Sequence, residues 1–333
     1  MAEPASLAVS IAGALRSAAM EFSVMFAGTA GSVPSARRGM PALLVRRGAE
    51  RILIDCGEGT QRQLLKAGGL SDLTDIFITH LHVDHWLGLP GLLQTFSLRD
   101  RDRRLVVHGP PGLAELMRSL RRVYGKLSFE LRVAELDAGE SVRRDTLEIH
   151  AINVRHRVLA YGYVLVEDPR LGRFDAELAT ELGVTPGPDF GRLQRGETVA
   201  GVRPEQVIGP EREGRKVVVS GDTAPCETLA VAAHAADLLI HEATFGEDER
   251  DRARLTGHST AAQAAQIAAD AEVRLLALTH ISARYAGSEL REEARAIFPA
   301  CELPRDFDTI EIPLADRGEP TLIRHGEAPK QAI

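Results

Sequence analysis

Three histidines and one aspartate occupy six consecutive positions in the segment HLHVDH, residues 80–85. Imidazole and carboxylate groups are costly to bury unless they are paired or bind a metal ion. His80 and His82 are two positions apart, so an extended segment directs both to one side, whereas Asp84 and His85 follow on the turn beyond. A single zinc ion takes four ligands, or three and water, so this spacing suits two ions that share the turn. The alternative is a polar surface loop, although a motif of this density seldom arises by chance.

Strand-like segments elsewhere in the chain repeatedly end in a polar residue. Examples are ILID at Asp55, VVVSGD at Asp222, LLIH at His241 and LLALTH at His280. Strands that bring polar ends to one edge are a common way for a layered α/β protein to build a site. Each residue also has a structural alternative: a turn hydrogen bond for Asp222, and a strand-end histidine bound to the backbone for His280. His156 follows a further strand, and by itself an ordinary core or loop histidine is an equal interpretation.

The composition is that of a soluble globular enzyme, with 333 residues of which 44% are hydrophobic and 26% charged. Its three cysteines, Cys56, Cys226 and Cys301, are far apart and form no CxxC pair, which favours a reducing cytoplasmic location without disulfides. No apolar run approaches the roughly 20 residues that span a bilayer, so no membrane association is expected. The formal net charge of −7 argues against a protein that coats nucleic acid through bulk positive charge, but permits a local basic surface.

The pattern of elements predicts one main domain with three exceptional segments. Residues 1–20 are small, apolar and Ala-rich but lack the basic start of a signal peptide, so a disordered N-terminal extension is expected, with a helical one as the alternative. Residues 21–315 alternate strands and helices and are predicted to form the domain, and residues 316–333 a C-terminal tail. Residues 167–214 are rich in Gly, Pro and charge, with one predicted helical piece at 175–182. This segment is too long for an ordinary connection and is interpreted as an inserted arm.

Eight motifs in order resemble the metallo-β-lactamase superfamily and, within it, the ribonuclease Z family of tRNA 3′-end endonucleases. They are FAGTAGSVPSARRG, LIDCGEGTQRQLL, IFITHLHVDHWLGLPGLL, YGYVLVE, SGDT, LIHEATF, GHSTAAQAA and LTHISARY. The resemblance runs from about Met20 to about Pro313 and is far more specific than the histidine motif alone. It implies an α/β fold, a four-layer αββα sandwich of the metallo-β-lactamase type with an inserted flexible arm.

The resemblance also implies a set of metal ligands and catalytic groups. One zinc ion would be held by His80, His82 and His156, the other by Asp84, His85 and His280, with Asp222 bridging them. This makes two Zn²⁺ per subunit, with Mn²⁺ or another divalent ion as the alternative. Two ions roughly 3.5–4 Å apart lower the pKa of a shared water and hold a phosphodiester for in-line attack.

In this resemblance Asp84 is the general base, and His258 protonates the leaving 3′ oxygen with Glu242 orienting its ring. A residue near a helix start without a catalytic part is the structural alternative for His258. Asp55 is expected to hold the ligand loop by hydrogen bonds. His241 is expected to be structural.

The family resemblance names precursor tRNA as the substrate, cut to release the 3′ trailer and leave a 3′-hydroxyl, by a cytoplasmic homodimer. The arm would grip the tRNA elbow and serve the site of the other subunit. Four arm arginines could contact phosphates: Arg170, Arg173, Arg192 and Arg195. A solvated charged loop, diluted by neighbouring glutamates, is the alternative interpretation.

Two other functions remain open at this stage. A related hydrolase of a small ester, such as an aryl sulfate or a cyclic nucleotide, would not need the arm, and a metal-free RNA-binding protein would not need the ligands. The sequence also departs from the family. Val83 stands where the family has glycine, and Ala36 and Gly39 replace a lysine and an asparagine in the loop that helps to distinguish CCA-bearing ends from precursors.

Overall fold

The computed structural model describes residues 21–70 and 73–326, so the extension predicted for residues 1–20 lies outside the described residues. The first sheet has eight strands in the described residues: β1 (Phe22–Gly28), β2 (Ala42–Arg47), β3 (Glu50–Ile54), β4 (Asp75–Phe77), β5 (Leu105–Gly109), β6 (Leu131–Glu135), β14 (Thr309–Glu311) and β15 (Thr321–Ile323). Those of the second sheet are β7 (Ser141–Arg144), β8 (Leu147–Asn153), β9 (Tyr161–Glu167), β10 (Lys216–Val219), β11 (Leu238–Glu242), β12 (Leu276–Thr279) and β13 (Cys301–Glu302). The strand orders are β15-β14-β1-β2-β3-β4-β5-β6 and β13-β12-β11-β10-β9-β8-β7.

The helices are distributed over both sheets and the arm. Their bounds are α1 (Thr60–Lys66), α2 (Val83–Trp86), α3 (Leu89–Leu98), α4 (Leu113–Tyr124), α5 (Ala176–Glu181), α6 (Pro188–Gln194), α7 (Pro204–Val207), α8 (Glu227–Ala233), α9 (Arg250–Thr256), α10 (Ala261–Asp270) and α11 (Ser288–Ile297). In α3 the buried residues Leu89, Leu92, Leu93 and Phe96 form one helical face, which packs on the first sheet. None of the helices in the described ranges has the length and apolar character that a bilayer crossing requires.

Three apolar clusters define four layers. The central cluster joins the inner faces of both sheets and includes Phe22 of β1, Tyr163 of β9 and Val217 of β10. A second cluster packs α1, α3 and α4 on the first sheet, and a third packs α8, α10 and α11 on the second. Since each amphipathic helix buries its apolar face against the outer face of a sheet, the result is an αββα sandwich. The predicted fold class is confirmed.

Both sheets contain a parallel part, and the site lies at the carboxyl ends of these parallel strands. β3, β4 and β5 run parallel in the first sheet, as do β10, β11 and β12 in the second. Hydrogen bonds join the sheets near this edge: Tyr161 N–H donates to the Thr79 carbonyl at 2.9 Å, and Tyr163 Oη donates to the Ile78 carbonyl at 2.7 Å. The loops that follow the two parallel sets therefore face one another.

The arm, residues 167–214, contains three short helices, so the prediction of a single helical piece was wrong. α6 and α7 both begin with a proline, a residue that is favourable at the first helical position. The three helices enclose their own apolar cluster, whose fully buried members include Ala179 and Leu193. The arm therefore has a core separate from those of the sandwich.

The boundary placed after residue 315 was also wrong. Residues 321–323 form β15, which pairs antiparallel with β14 at the edge of the first sheet. Three residues in a strand are too few to show an alternating pattern, which explains why this stretch resembled a tail. Asp316 also contacts the base of the arm, through Arg212 at 2.8 Å and Arg173 at 3.4 Å.

Candidate metal centre and active site

The loop after β4 and the start of α2 carry the first group of metal donors. His80 Nε2 lies 2.9 Å from His82 Nδ1, and His82 Nδ1 lies 3.2 Å from His156 Nε2. His80 Nε2 is 3.7 Å from Asp222 Oδ2, which follows β10. These four side chains place one donor atom each within 4.8 Å of one another. The predicted first ligand set is thus brought together from three separate parts of the chain.

The second group lies beside the first and shares its aspartate. Asp84 Oδ2 is 3.6 Å from both His85 Nε2 and His280 Nε2. Asp222 Oδ2 is 3.4 Å from His85 Nε2 and 3.3 Å from His280 Nε2. Asp222 is therefore the one carboxylate, among the described residues, that faces donors of both groups.

Two observations show that this arrangement fits divalent cations. Tetrahedral ligands at roughly 2.0–2.1 Å from a metal lie roughly 3.3–3.4 Å from each other, and the donor separations above range around that value. Moreover, His85 Nε2 and His280 Nε2 are buried and have no hydrogen-bond partner within the described part of the chain. Buried polar atoms without partners are costly, and a cation would satisfy both.

Hydrogen bonds behind the histidines fix which nitrogen faces the centre. His85 Nδ1 donates to Asp55 Oδ2 at 2.7 Å, as expected for Asp55, and His156 Nδ1 donates to the Gly257 carbonyl at 2.7 Å. Thr79 Oγ1 lies between Asp55 and His80 Nδ1, at 3.0 and 3.1 Å. In the neutral form of each ring, Nε2 is thereby left with its lone pair directed at the candidate metal positions.

Thr244 provides the same support for His280 and was missed by the sequence analysis. Its hydroxyl donates to Glu242 Oε2 at 2.6 Å, so its oxygen accepts from His280 Nδ1 at 2.8 Å. Thr79 was missed for the same reason, because threonine at a strand end is typical of any β-strand. In the sequence, the one feature that could have indicated the role of Thr244 is its position two residues after Glu242.

The electrostatic environment favours the metal-binding protonation states of most donors. Burial lowers the pKa of His80, His82 and His156, which keeps their imidazoles neutral. Burial alone would raise the pKa of Asp84 and Asp222, but neighbouring histidines, His280 and His85, hold both values low. Both carboxylates are therefore ionised, as cation ligands must be.

His85 differs from the other histidines because two carboxylates outweigh the effect of its burial. Asp222 and Asp55 raise the pKa of His85 well above its ordinary value. A proton on Nε2 thus occupies the place that a cation would take between His85 and Asp222. Metal binding at this group must displace that proton and should weaken as the pH falls.

His258 and Glu242 form a buried pair at the edge of the centre. His258 Nδ1 donates to Glu242 Oε1 at 2.7 Å, and its ring stacks on His280 with centroids 5.4 Å apart. Glu242 also accepts from the backbone N–H groups of Thr223 and Thr244, at 2.9 and 3.1 Å. Burial would lower the pKa of His258, but the charge and hydrogen bond of Glu242 raise it to about 9. The imidazole is therefore a proton donor at neutral pH.

His241 lies on β11 with its side chain fully buried, and its Nδ1 donates to the Glu242 carbonyl at 2.7 Å. Val83 begins α2 and is 54% exposed, so the β-branched side chain points to solvent without obstructing the donors. Ala36 is exposed in the loop after β1, and Gly39 N–H donates to Asp306 Oδ2 at 2.6 Å. The loop that departs from the family pattern is thus anchored by the glycine's backbone.

The arm arginines lie in two places away from the donor groups. Arg170 and Arg173 belong to the base of the arm. Arg192 and Arg195 lie on α6 and at its end, where Arg192 pairs with Glu197 at 2.8 Å and Arg195 with the same residue at 3.6 Å. Exposed pairs of this kind contribute little free energy, so they do not prevent the guanidinium groups from meeting phosphates.

Asp55→Asn is expected to weaken metal binding by roughly 10- to 100-fold, which is typical for loss of a group that orients a ligand histidine. An amide lacks the negative charge of the carboxylate that accepts the hydrogen bonds of His85 and Thr79. The His85 ring therefore loses its fixed orientation. Titration with Zn²⁺ against a competing chelator measures the effect. Asp75→Asn is a matched control, because Asp75 is buried between His108 and Arg144 rather than at the centre. Equal affinities for wild type and Asp55→Asn would contradict the assigned role.

Comparison with known proteins agrees with this geometry. The model of the β-lactamase superfamily domain matches residues 50–281. Ribonuclease Z of Haloferax volcanii is 47% identical over 89% of this chain and 97% of its own length, and ribonuclease Z of Gemmatimonas aurantiaca is 44% identical over 89% and 98%. The chain belongs to the ribonuclease Z family of the metallo-β-lactamase superfamily. The crystal structure of human tRNase Z, short form, is similar over 87% of this chain and 99% of that one, with 30% identity and a TM-score of 0.65.

Proposed function

We propose that this ribonuclease Z family member is a metal-dependent endoribonuclease that removes 3′ trailers from precursor tRNA and leaves a tRNA 3′-hydroxyl. The observation that carries the proposal is the shared Asp222, which joins two donor groups beside the buried His258–Glu242 pair. Two cation positions with an adjacent proton donor suit hydrolysis of a phosphodiester. The substrate is inferred from the named relatives, which this chain matches over almost their whole length.

The metal ligands proposed are His80, His82 and His156 for one Zn²⁺, and Asp84, His85 and His280 for the other, with Asp222 shared. Mixed imidazole and carboxylate donors suit Zn²⁺ and also Mn²⁺. Bound divalent ions would supply a nucleophile from water at neutral pH and neutralise charge on the phosphate.

Two of the chain's own groups handle the protons. Asp84 is ionised and accepts the proton of the attacking water. The Ser32 N–H donates a hydrogen bond to Asp84 Oδ2 at 3.1 Å and holds the carboxylate in place. His258 uses Nδ1 to bind Glu242, so Nε2 donates the proton to the leaving 3′ oxygen. Glu242 remains ionised because several donors and His258 surround it.

The arm is proposed to bind the tRNA elbow, with Arg170, Arg173, Arg192 and Arg195 as phosphate contacts. A cytoplasmic homodimer in which each arm serves the partner's site is proposed with it. The separate apolar core of the arm supports this, because a segment with its own core holds its shape without packing on the sandwich.

The deciding experiment incubates the purified protein with a 3′-extended tRNA, with and without a chelator. Cleavage at the tRNA 3′ end, lost on chelation and restored by Zn²⁺ or Mn²⁺, is the expected result. Parallel assays with p-nitrophenyl sulfate and bis(p-nitrophenyl) phosphate test the small-ester alternative. Hydrolysis of the small esters alone would remove the proposal.

Gly172→Ala is expected to raise KM for precursor tRNA roughly tenfold without loss of bis(p-nitrophenyl) phosphate hydrolysis. A tenfold change corresponds to the loss of about one good charged contact with the tRNA. A Cβ at Gly172 would lie 1.8 Å from the Gly209 carbonyl oxygen, so the two segments at the base of the arm would have to separate. Gly191→Ala is the matched control in α6, where the Cβ meets only the end of the Arg195 side chain, at 3.3 Å. Identical KM values for the two variants would show that the arm's placement does not govern tRNA binding.

A further inference from the structure

A basic cavity of about 440 Å³ adjoins the candidate metal centre. Its wall contains four arginines, Arg155, Arg157, Arg250 and Arg254, together with His156 and His258. Asp251 is the one acidic residue among the described residues that line it. Four arginines around one cavity contrast with the formal net charge of −7 for the whole chain, which indicates a local site for an anion.

Arg155 and Arg157 are the most available of the four. Both are exposed, and within the described ranges neither guanidinium group has an ion pair or a hydrogen bond. Arg250 pairs with Glu247 at 2.9 Å, and Arg254 lies 3.7 Å from Asp251. The latter two pairs are largely exposed and therefore contribute little free energy.

The backbone holds the two available arginines beside the reactive groups. Arg155 N–H donates to Thr223 Oγ1 at 3.1 Å, and its carbonyl accepts from Ala224 N–H at 2.7 Å, which ties it to the loop of Asp222. The Arg157 stem passes over Gly257, where a Cβ would lie 3.1 Å from Cγ. Gly257 has φ +77, and its carbonyl binds His156.

The position of His258 determines which part of the substrate this cavity meets. The His156 and His258 rings are 5.0 Å apart and form the wall that the cavity shares with the metal centre. This step rests on the proposed function, in which His258 protonates the leaving 3′ oxygen. That oxygen belongs to the tRNA and not to the trailer, so the space beyond His258 lies on the tRNA side of the scissile bond.

We propose that the cavity binds the backbone phosphates of the tRNA 3′ strand immediately 5′ of the cleaved bond, and that Arg155 and Arg157 are the contacting residues. Guanidinium groups bind phosphate oxygens through two parallel hydrogen bonds, which gives both affinity and orientation. Contacts on this side position the leaving oxygen against His258 and hold the tRNA product, whereas the trailer leaves from the other side.

The test measures binding of the two cleavage products to the zinc-loaded Arg155→Ala/Arg157→Ala variant. One product is an acceptor-stem minihelix that ends in a single-stranded 3′-hydroxyl terminus and has no elbow for the arm. The other is a 5′-phosphorylated trailer oligonucleotide. We expect the affinity for the minihelix to fall roughly tenfold or more. The slope of log K against log salt for the minihelix should also become shallower by about 1.4, because two phosphate contacts are lost and each contact on a single strand contributes about 0.7. Trailer affinity should be unchanged.

Arg121→Ala/Arg122→Ala is the matched control, because it removes the same charge from exposed positions on α4. Zinc content and thermal midpoint establish that each variant is folded. Unchanged minihelix affinity, or an equal loss for minihelix and trailer, overturns the assignment of the cavity to the tRNA side. If wild type does not cleave a 3′-extended tRNA at all, the proposed function fails independently of this result.

Discussion

Asp222→Ala is expected to reduce cleavage of precursor tRNA at least about a thousandfold, because metal ions contribute several kcal/mol of transition-state stabilisation. Its Oδ2 lies 3.7, 3.4 and 3.3 Å from Nε2 of His80, His85 and His280, respectively. Alanine removes the donor that both groups share and leaves three imidazoles without the carboxylate that offsets the cations' charge. Loss of Asp222 should therefore weaken both metal positions, whereas loss of a histidine should weaken one.

Metal analysis after gel filtration measures this directly, alongside single-turnover cleavage. We expect the variant to retain less than one ion per chain under conditions in which wild type retains two. Asp270→Ala is the control, because Asp270 lies at the end of α10 and its carboxylate accepts a hydrogen bond from Gln266 at 2.8 Å, a residue outside the proposed ligand sets. Two retained ions with a cleavage rate within tenfold of wild type would exclude a shared role for Asp222.

The sequence identified the residues that carry chemistry better than it identified those that position them. The density of donors in residues 80–85 was sufficient to predict a metal site, and polar strand ends indicated Asp222 and His280. His156 could not be distinguished from an ordinary loop histidine by residues alone, because His82, which it contacts, is 74 positions away in the chain. The family resemblance was needed to place it.

Supporting residues were missed because their types are common and their partners are distant. Thr79 and Thr244 are ordinary strand-end residues until the fold places histidine nitrogens beside them at 3.1 and 2.8 Å. Arg155 and Arg157 flank His156 in the sequence, but the other two arginines of the basic cavity come from α9, almost 100 positions later in the chain. These relationships depend on the packing of separate loops, which local sequence patterns do not encode.

Backbone strain shows the same dependence on tertiary structure. Asp55 and His280 have φ values of 60° and 58°, a region that non-glycine residues seldom occupy. Such conformations cost about 1–3 kcal/mol and persist where surrounding contacts fix them. Here the contacts are the His85 bond to Asp55 and the Thr244 bond to His280, so the cost falls on one proposed metal ligand, His280, and on Asp55, which orients another.

His258→Ala is expected to lower cleavage of precursor tRNA by roughly 10²- to 10⁴-fold, which is the usual contribution of a general acid. The leaving 3′ oxygen of a ribose is strongly basic and needs a proton, whereas p-nitrophenolate leaves without one. Hydrolysis of bis(p-nitrophenyl) phosphate by the same variant should therefore fall much less. Zinc content should remain that of wild type, because Nδ1 of His258 is bound to Glu242 and the ring is no proposed ligand.

The pH dependence provides the distinguishing measurement for His258. Since Glu242 raises the pKa of His258 to about 9, the proton donor is present below that pH, and kcat/KM for tRNA should fall as the pH rises through it. Glu242→Gln removes the negative charge while burial continues to lower the pKa of His258, so this alkaline decline should begin at a lower pH. The p-nitrophenyl ester should show no corresponding displacement, because its leaving group does not use the proton. An equal loss on both substrates, or an alkaline decline that Glu242→Gln leaves in place, would assign His258 to the structure of the metal centre instead of to proton donation.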